Sequence, residues 1–171
     1  MNTEDLATMH ISLLRETIRR YCGRESVTIY FDGTPATVLA ARMFVDALGK
    51  QNVCCVTTTD VGCMNVSLAT NEAAKLGVRH LVIPIVLPVA SIIQQITYAG
   101  VVLTGERNAT IASRRVASVV LDMIAEQQGS VAVSTMPYVS GYDPLDDMTT
   151  DELESLFSYY NISIHDSKEE E

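Results

Sequence analysis

The stretch Val27–Leu48, VTIYFDGTPATVLAARMFVDAL, decides how this chain is read. Val27–Phe31 is a β-branched and aromatic run, the composition of a buried strand. Asp32-Gly33-Thr34-Pro35 is a turn, and Ala36–Leu48 carries the apolar spacing of a helix. Thr34 suits the N-cap, and Pro35 suits the first helical position, where a missing N–H costs little. A strand feeding a helix through a glycine turn is where α/β proteins hold phosphates, because free N–H groups and the helix dipole meet there. This turn also works against that role. Asp32 brings a negative charge and Pro35 removes a donor, whereas a phosphate cradle needs small residues, free N–H groups and hydroxyls or cations. Taken by itself, the turn reads as a capped helix start with no phosphate role.

Outward from this stretch the chain alternates strands and helices. Thr3–Tyr21 is expected to be a helix with Leu6, Met9, Leu13, Ile18 and Tyr21 on its inner face. Val53–Thr57 is a second strand, followed by a turn over Thr58–Cys63 and a helix near Val66–Leu76 that stops at Gly77. His80–Ile85 is a third strand, Pro88 opens a short helix through Ile96, and Tyr98–Asn108 is loop-like. Ala112–Gln127 is a strong helix with Ala112, Val116, Val119, Val120, Met123 and Ile124 as its apolar stripe, and Ser130–Ser134 is a fourth strand. Thr149-x-x-Glu152 is a capping box that starts a helix through Tyr160, and Ile162–Ile164 is a candidate fifth strand. Apolar strands alternating with helices imply a parallel sheet covered on both faces, a three-layer Rossmann-like α/β fold with four to five strands. Right-handed crossovers then gather the loops Asp32–Pro35, Thr58–Cys63 and Thr135–Gly141 at one carboxyl edge.

At 171 residues the chain is long enough for one domain with a full core, expected over residues 1–165, with 166–171 an acidic disordered tail. No apolar run reaches membrane-spanning length, and MNTEDLATMH lacks the features of a secretory signal. Cys22, Cys54, Cys55 and Cys63 form no C-x-x-C pair and read as reduced, buried thiols of a cytoplasmic protein. His10, His80 and His165 are scattered, with no metal-ligand spacing. The net charge of −9 argues against a nucleic-acid surface, which needs a basic stripe. Much of that charge lies near the end of the chain, so it says little about a small anionic ligand.

Several pieces of the chain resemble the NAD synthetase family, within the adenine nucleotide α-hydrolase-like (PP-loop ATP pyrophosphatase) group. Ala36–Val56, ATVLAARMFVDALGKQNVCCV, is similar to the family's helix and second strand after its phosphate loop. Asn65–Ile85, NVSLATNEAAKLGVRHLVIPI, is similar to the next helix–strand unit. Asn108–Thr135, NATIASRRVASVVLDMIAEQQGSVAVST, resembles the family's Asn/Arg-bearing helix and the strand that ends in a small residue and Thr. Asp151–Ile162, DELESLFSYYNI, resembles the helix that follows. The resemblance runs from about Ser26 to Ile162 and implies the family's fold.

The family's phosphate loop reads Ser-Gly-Gly-x-Asp-Ser, and the aligned residues here are Phe31-Asp32-Gly33-Thr34-Pro35-Ala36, in which only Gly33 matches. Asn108 and Arg114 match the family's Asn and second Arg, Ala112 stands at its first Arg, and Thr135 matches its strand-end Thr. The acidic magnesium ligand expected soon after has no counterpart in Met136–Gly141. The resemblance thus implies a degenerate NAD-synthetase-like protein that lacks ligase activity and keeps ATP or AMP binding, or a partner role. Its nucleotide-binding residues would be Asp32, Gly33, Thr34, Thr58, Thr59, Arg114 and Thr135, with no catalytic residue and no metal ligand. The alternatives are an active ammonia-dependent ligase with a diverged loop and a purely structural homodimer. Each of these residues also has a structural reading: Gly33 as a turn glycine, Arg114 and Arg115 as a solvated pair, Thr135 as a strand end, and Thr57–Asp60 as an Asx/ST turn. The expected partners are an adenine nucleotide and a second copy of the chain, with no nucleic acid and no membrane.

Overall fold

The structure is a computed structural model, and it describes residues 2–59, 66–84 and 109–164. Four parallel strands form the centre: β1 Val27–Tyr30, β2 Val53–Thr59, β3 Arg79–Pro84 and β4 Val131–Val133, in the order β3-β2-β1-β4. β1 pairs with β2 from Val27↔Val53 to Tyr30↔Val56 and with β4 from Val27↔Val131 to Ile29↔Val133. Among the described residues five α-helices accompany them: α1 Thr3–Cys22, α2 Pro35–Leu48, α3 Val66–Leu76, α4 Ala109–Gln128 and α5 Thr150–Tyr159. The α/β class and the parallel Rossmann-like sheet expected from the sequence are what the structure has.

The pleat divides the core. Val27, Ile29, Phe31, Val53, Cys55 and Val133 point to one face, where they meet α1, α2, α3 and α5. Cys54, Val56, Tyr30, Leu81 and Ala132 point to the other, under Leu121 and Ile124 of α4. Such two-sided burial is why the strands read as continuous apolar runs. It also fixes the topology. β1, β2 and β3 advance one place at a time through α2 and α3, whereas the connection carrying α4 returns across the opposite face to lay β4 on the far side of β1. The order therefore reverses between β1 and β4, and their carboxyl ends flank the crevice that such a reversal creates.

Three expectations are corrected. The inner face of α1 is Ala7, Leu14 and Ile18 with Ile11 beside them, while Met9, Leu13 and Tyr21 are exposed. Size misleads there, since the i, i+4, i+7, i+11 row runs through the small Ala7. On α4 the buried row is Ala117, Ser118, Leu121 and Ala125, and Val119 and Met123 are 51% and 65% exposed. Small residues let α4 lie close to the sheet, which turns the bulky stripe partly outward. Ile162–Ile164 is not a strand. Asn161 adopts φ 55, Asn161 N–H donates to Ser158 O (3.1 Å) and Ile162 N–H donates to Phe157 O (2.9 Å). These are the two bonds of a Schellman motif, and Ile162 is its apolar residue, packed on the core.

β2 runs on to Thr59 because Thr58 and Thr59 stay in register with Ile83 and Pro84, so Thr57–Thr59 are strand residues and not a turn. The capping box at α5 forms on one side only: Glu152 N–H donates to Thr149 Oγ1 at 3.2 Å, while Glu152 Oε2 lies 2.9 Å from His10 Nε2 on α1. Asp60–Cys63, the Pro88–Ile96 helix, the Tyr98–Asn108 loop with Asn108, and the 166–171 tail lie outside the described residues.

Candidate functional site

Strand β1 ends in the loop that leads to α2, and its geometry follows from one carboxylate. Asp32 Oδ1 accepts the Thr34 backbone N–H (2.9 Å), the Thr34 hydroxyl (2.6 Å) and the Thr37 hydroxyl (3.0 Å). The Thr37 proton is shared with the Thr34 carbonyl, also at 3.0 Å. Thr34 is the N-cap residue as expected, with φ −69 and ψ 157, yet its side chain makes no capping bond to α2. The Asp32 carboxylate two residues back accepts the hydroxyl proton instead. Thr37 was not singled out in the sequence; the Asp-x-Thr-x-x-Thr spacing, which puts its hydroxyl over the turn, was the signal that could have found it.

Gly33 has a conformational and a steric reason to be glycine. Its φ is +82, and a Cβ there would stand 2.9 Å from Ala69 N and 2.9 Å from Leu68 Cγ. The loop is pressed onto the first turns of α3, a close approach that only glycine permits. Phe31, just before it, is fully buried in the core. Its N–H donates to Val56 O at 2.8 Å, and its carbonyl accepts the Thr57 hydroxyl at 2.5 Å. Thr57 Oγ1 is also 2.7 Å from His80 Nε2 on β3. With the hydroxyl proton committed to Phe31, Nε2 must carry the imidazole proton and donate it. Burial pushes the His80 pKa below its ordinary value, which favours that neutral ring.

The other residues singled out in the sequence lie at the carboxyl ends of their strands or at the start of α4. Thr58 is buried, on the α4 side of the sheet, with its hydroxyl 3.4 Å from Tyr30 Oη. Thr59, half-buried, is the last residue of β2. Thr135 follows β4 and is half-buried, as is Arg114 in the second turn of α4. Topology thus gathers Asp32–Thr34, Thr58, Thr59, Thr135 and Arg114 at one edge of the sheet.

The loop after β4 is folded tightly back. Ser134 N–H donates to Tyr142 O (3.1 Å) and Tyr142 N–H to Ala132 O (2.9 Å), so Tyr142 lies beside Val133 as an isolated bridge. Gly141 fits because a Cβ there would meet Ser134 N at 3.0 Å. Met136 and Val139 pack into the core beneath α4, and Ser140 N–H donates to Ser118 Oγ at 2.7 Å. Among the described residues no three His, Cys, Asp or Glu side chains converge in a way that would hold a metal ion. Among the described residues this edge offers threonine hydroxyls, the Arg114 guanidinium and one carboxylate already engaged in hydrogen bonds. Cys54 and Cys55 are free, buried thiols, and that burial pushes the pKa of each up, which disfavours the thiolate.

The strand order, its reversal beside β1 and the loop-to-helix turn there are those of a Rossmann-like α/β fold. Solved structures that share this fold include synthetases of NAD and of NMN. An NH3-dependent NAD synthetase from Campylobacter jejuni, in complex with the nitrate ion, matches 95% of this chain and 75% of its own at TM-score 0.69 and 17% identity. A glutamine-dependent NAD+ synthetase from Acinetobacter baumannii, in complex with ADP, matches 93% of this chain and 33% of its own at TM-score 0.69 and 17% identity. An NMN synthetase from Francisella tularensis matches 95% and 72% at TM-score 0.72 and 14% identity. At these identities the likeness is one of fold: this chain has an NAD-synthetase-like fold. No family model matches it, and no curated protein does.

Proposed function

We propose that this chain is an NAD-synthetase-like protein that has exchanged phosphate binding at its first loop for an internal carboxylate, and that it binds an adenine mononucleotide or nucleoside without carrying out ATP-dependent amide ligation. The observation that carries this reading is Asp32 Oδ1, which takes the Thr34 N–H and two threonine hydroxyls for itself. Those donors are the kind that a phosphate would use at a helix start. A second negative charge brought to within about 4 Å of Asp32 near the surface is opposed by on the order of a few kcal/mol. Activation by adenylyl transfer needs donors and Mg²⁺ to neutralise the pyrophosphate, and Met136–Gly141 contains no acidic residue.

In this reading the backbone at Gly33–Thr34, Thr58 or Thr59, and Arg114 or Thr135 contact the nucleotide, all from the crevice edge. The fold supports a nucleotide ligand, since the Acinetobacter structure with this fold holds ADP. We also place the protein in the cytoplasm as a twofold dimer. Its buried free thiols suit a reducing compartment, and the exposed Met123 of α4 lines a groove with Val120, Ile124 and Ile83 that a second copy would cover. No described helix is long and apolar enough to cross a membrane.

The experiment is pyrophosphate release with ATP, Mg²⁺, deamido-NAD and ammonia. No release above the blank is expected, and Pro35→Asp alone should restore none. Steady release that disappears in Gly33→Asp would establish the alternative, an active ligase.

A further inference from the structure

Resting on that reading, we infer that Tyr138 and Arg115 form a platform on which the base of a mononucleotide stacks while its phosphate meets the guanidinium. The argument starts from the backbone. Met136-Pro137-Tyr138-Val139 is a turn closed by Val139 N–H to Met136 O at 3.2 Å. Proline at the second position and φ 67 at the third are the pattern of a type II turn, which normally places glycine or asparagine third. Tyrosine there bears a cost of about 1–2 kcal/mol for the left-handed region. Packing does not account for it. The loop is anchored by its neighbours, with Val139 buried in the core and Ser140 N–H on Ser118 Oγ, while Tyr138 is 49% exposed. The turn is thus built to present the ring outward, and a residue kept in a costly conformation points to a use for its side chain.

The surroundings say what the ring would meet. The Arg115 guanidinium lies 5.7 Å from the Tyr138 ring centroid, a cation–π pair. Among the described residues neither Arg114 nor Arg115 has an acidic partner, although acids outnumber bases by 21 to 12 in the chain. Both arginines lie in the second turn of α4, and Tyr138 follows the carboxyl end of β4, on the side of the sheet where the strand order reverses and open α/β sheets bind ligands. An exposed aromatic ring beside arginines with no acidic partner among the described residues is complementary to a flat base carrying a phosphate, and arginine suits that phosphate by its planar fork of donors. A mononucleotide places its phosphate here and away from Asp32.

Calorimetric titration of the full chain with AMP and with adenosine tests this. Tyr138→Gly should weaken AMP binding about tenfold or more and raise the thermal midpoint, because glycine is free in the left-handed region. Tyr138→Phe should bind AMP within about twofold of wild type. Arg115→Gln should weaken AMP while leaving adenosine unchanged. If the wild type binds AMP and Tyr138→Gly binds it equally well, the platform is wrong and the mononucleotide reading stands. If the wild type binds neither AMP nor adenosine, the reading beneath it fails and the platform with it.

Discussion

The Thr57 hydroxyl lies 2.7 Å from His80 Nε2, a contact that ties the edge strand β3 to the end of β1. The same hydroxyl donates to the Phe31 carbonyl, one residue before the loop that holds Asp32. The imidazole N–H, the hydroxyl and the carbonyl make a chain of hydrogen bonds across three strands, and it ends at the candidate site.

This chain gives the fold a pH dependence of known sign. Burial lowers the folded pKa of His80 below its ordinary 6.5, so near and below that pH the unfolded chain binds more protons than the folded one. Stability therefore rises with pH through this window and is lost as pH falls through the folded pKa. His80→Gln keeps a donor for Thr57 and removes the titration. Urea midpoints of the two proteins should converge between pH 7 and pH 5, with wild type losing more; parallel curves would refute the assignment.

Removing the hydroxyl takes this partner from the buried Phe31 carbonyl and from the half-buried His80 ring. Thr57→Val should cost about 1–3 kcal/mol in urea denaturation, the range for an orphaned buried polar group. Thr57→Ser, which keeps the hydroxyl, should cost less than half as much. Equal losses would place the effect in packing and not in the hydrogen bonds.

Gly33 and Gly129 separate backbone conformation from crowding. Both have positive φ, but a Cβ at Gly129 meets nothing within 4 Å, whereas at Gly33 it meets the backbone of α3 at 2.9 Å. Gly129→Ala should cost about 1 kcal/mol. Gly33→Ala should cost about 1–3 kcal/mol more, because α3 must move. Equal melting temperatures for the two variants would contradict the close approach.

Much of this fold was legible, and the misses have specific causes. Continuous apolar runs disclosed the parallel strands, and Pro35, Gly77, Gly129 and Thr149 marked helix ends correctly. The α1 and α4 faces were misread because Ala7, Ala117 and Ala125 are small, and close packing rewards small residues that a search for bulk passes over. Ile162 looked like a strand because an apolar residue after a helix can be either a strand start or a Schellman contact, and only the left-handed Asn161 decides. At the site, the departure of the Asp32–Ala36 loop from its family was visible in the letters. The Asp-x-Thr-x-x-Thr spacing brings Thr34 and Thr37 within reach of Asp32, but that one carboxylate oxygen takes both hydroxyls depends on a side-chain rotamer. Tyr138 was passed over because proline followed by a non-glycine residue does not announce a left-handed backbone.

The dimer is tested at α4. Met123 is 65% exposed and borders the apolar groove with Ile83 and Val120. Sedimentation of wild type should give twice the monomer mass of 18.7 kDa, and Met123→Asp should give the monomer with an unchanged melting profile at low concentration. A wild-type mass of one chain at every concentration would end the dimer proposal.

The most direct test of the central claim is calorimetry with AMP and ATP on wild type and on Asp32→Gly. If the Asp32 carboxylate stands where a phosphate chain would lie, wild type binds AMP more tightly than ATP. Asp32→Gly then reverses or abolishes that order, since it removes the charge and frees the Thr34 N–H and both hydroxyls. Wild type binding ATP more tightly than AMP, or an order that Asp32→Gly leaves unchanged, would contradict the account.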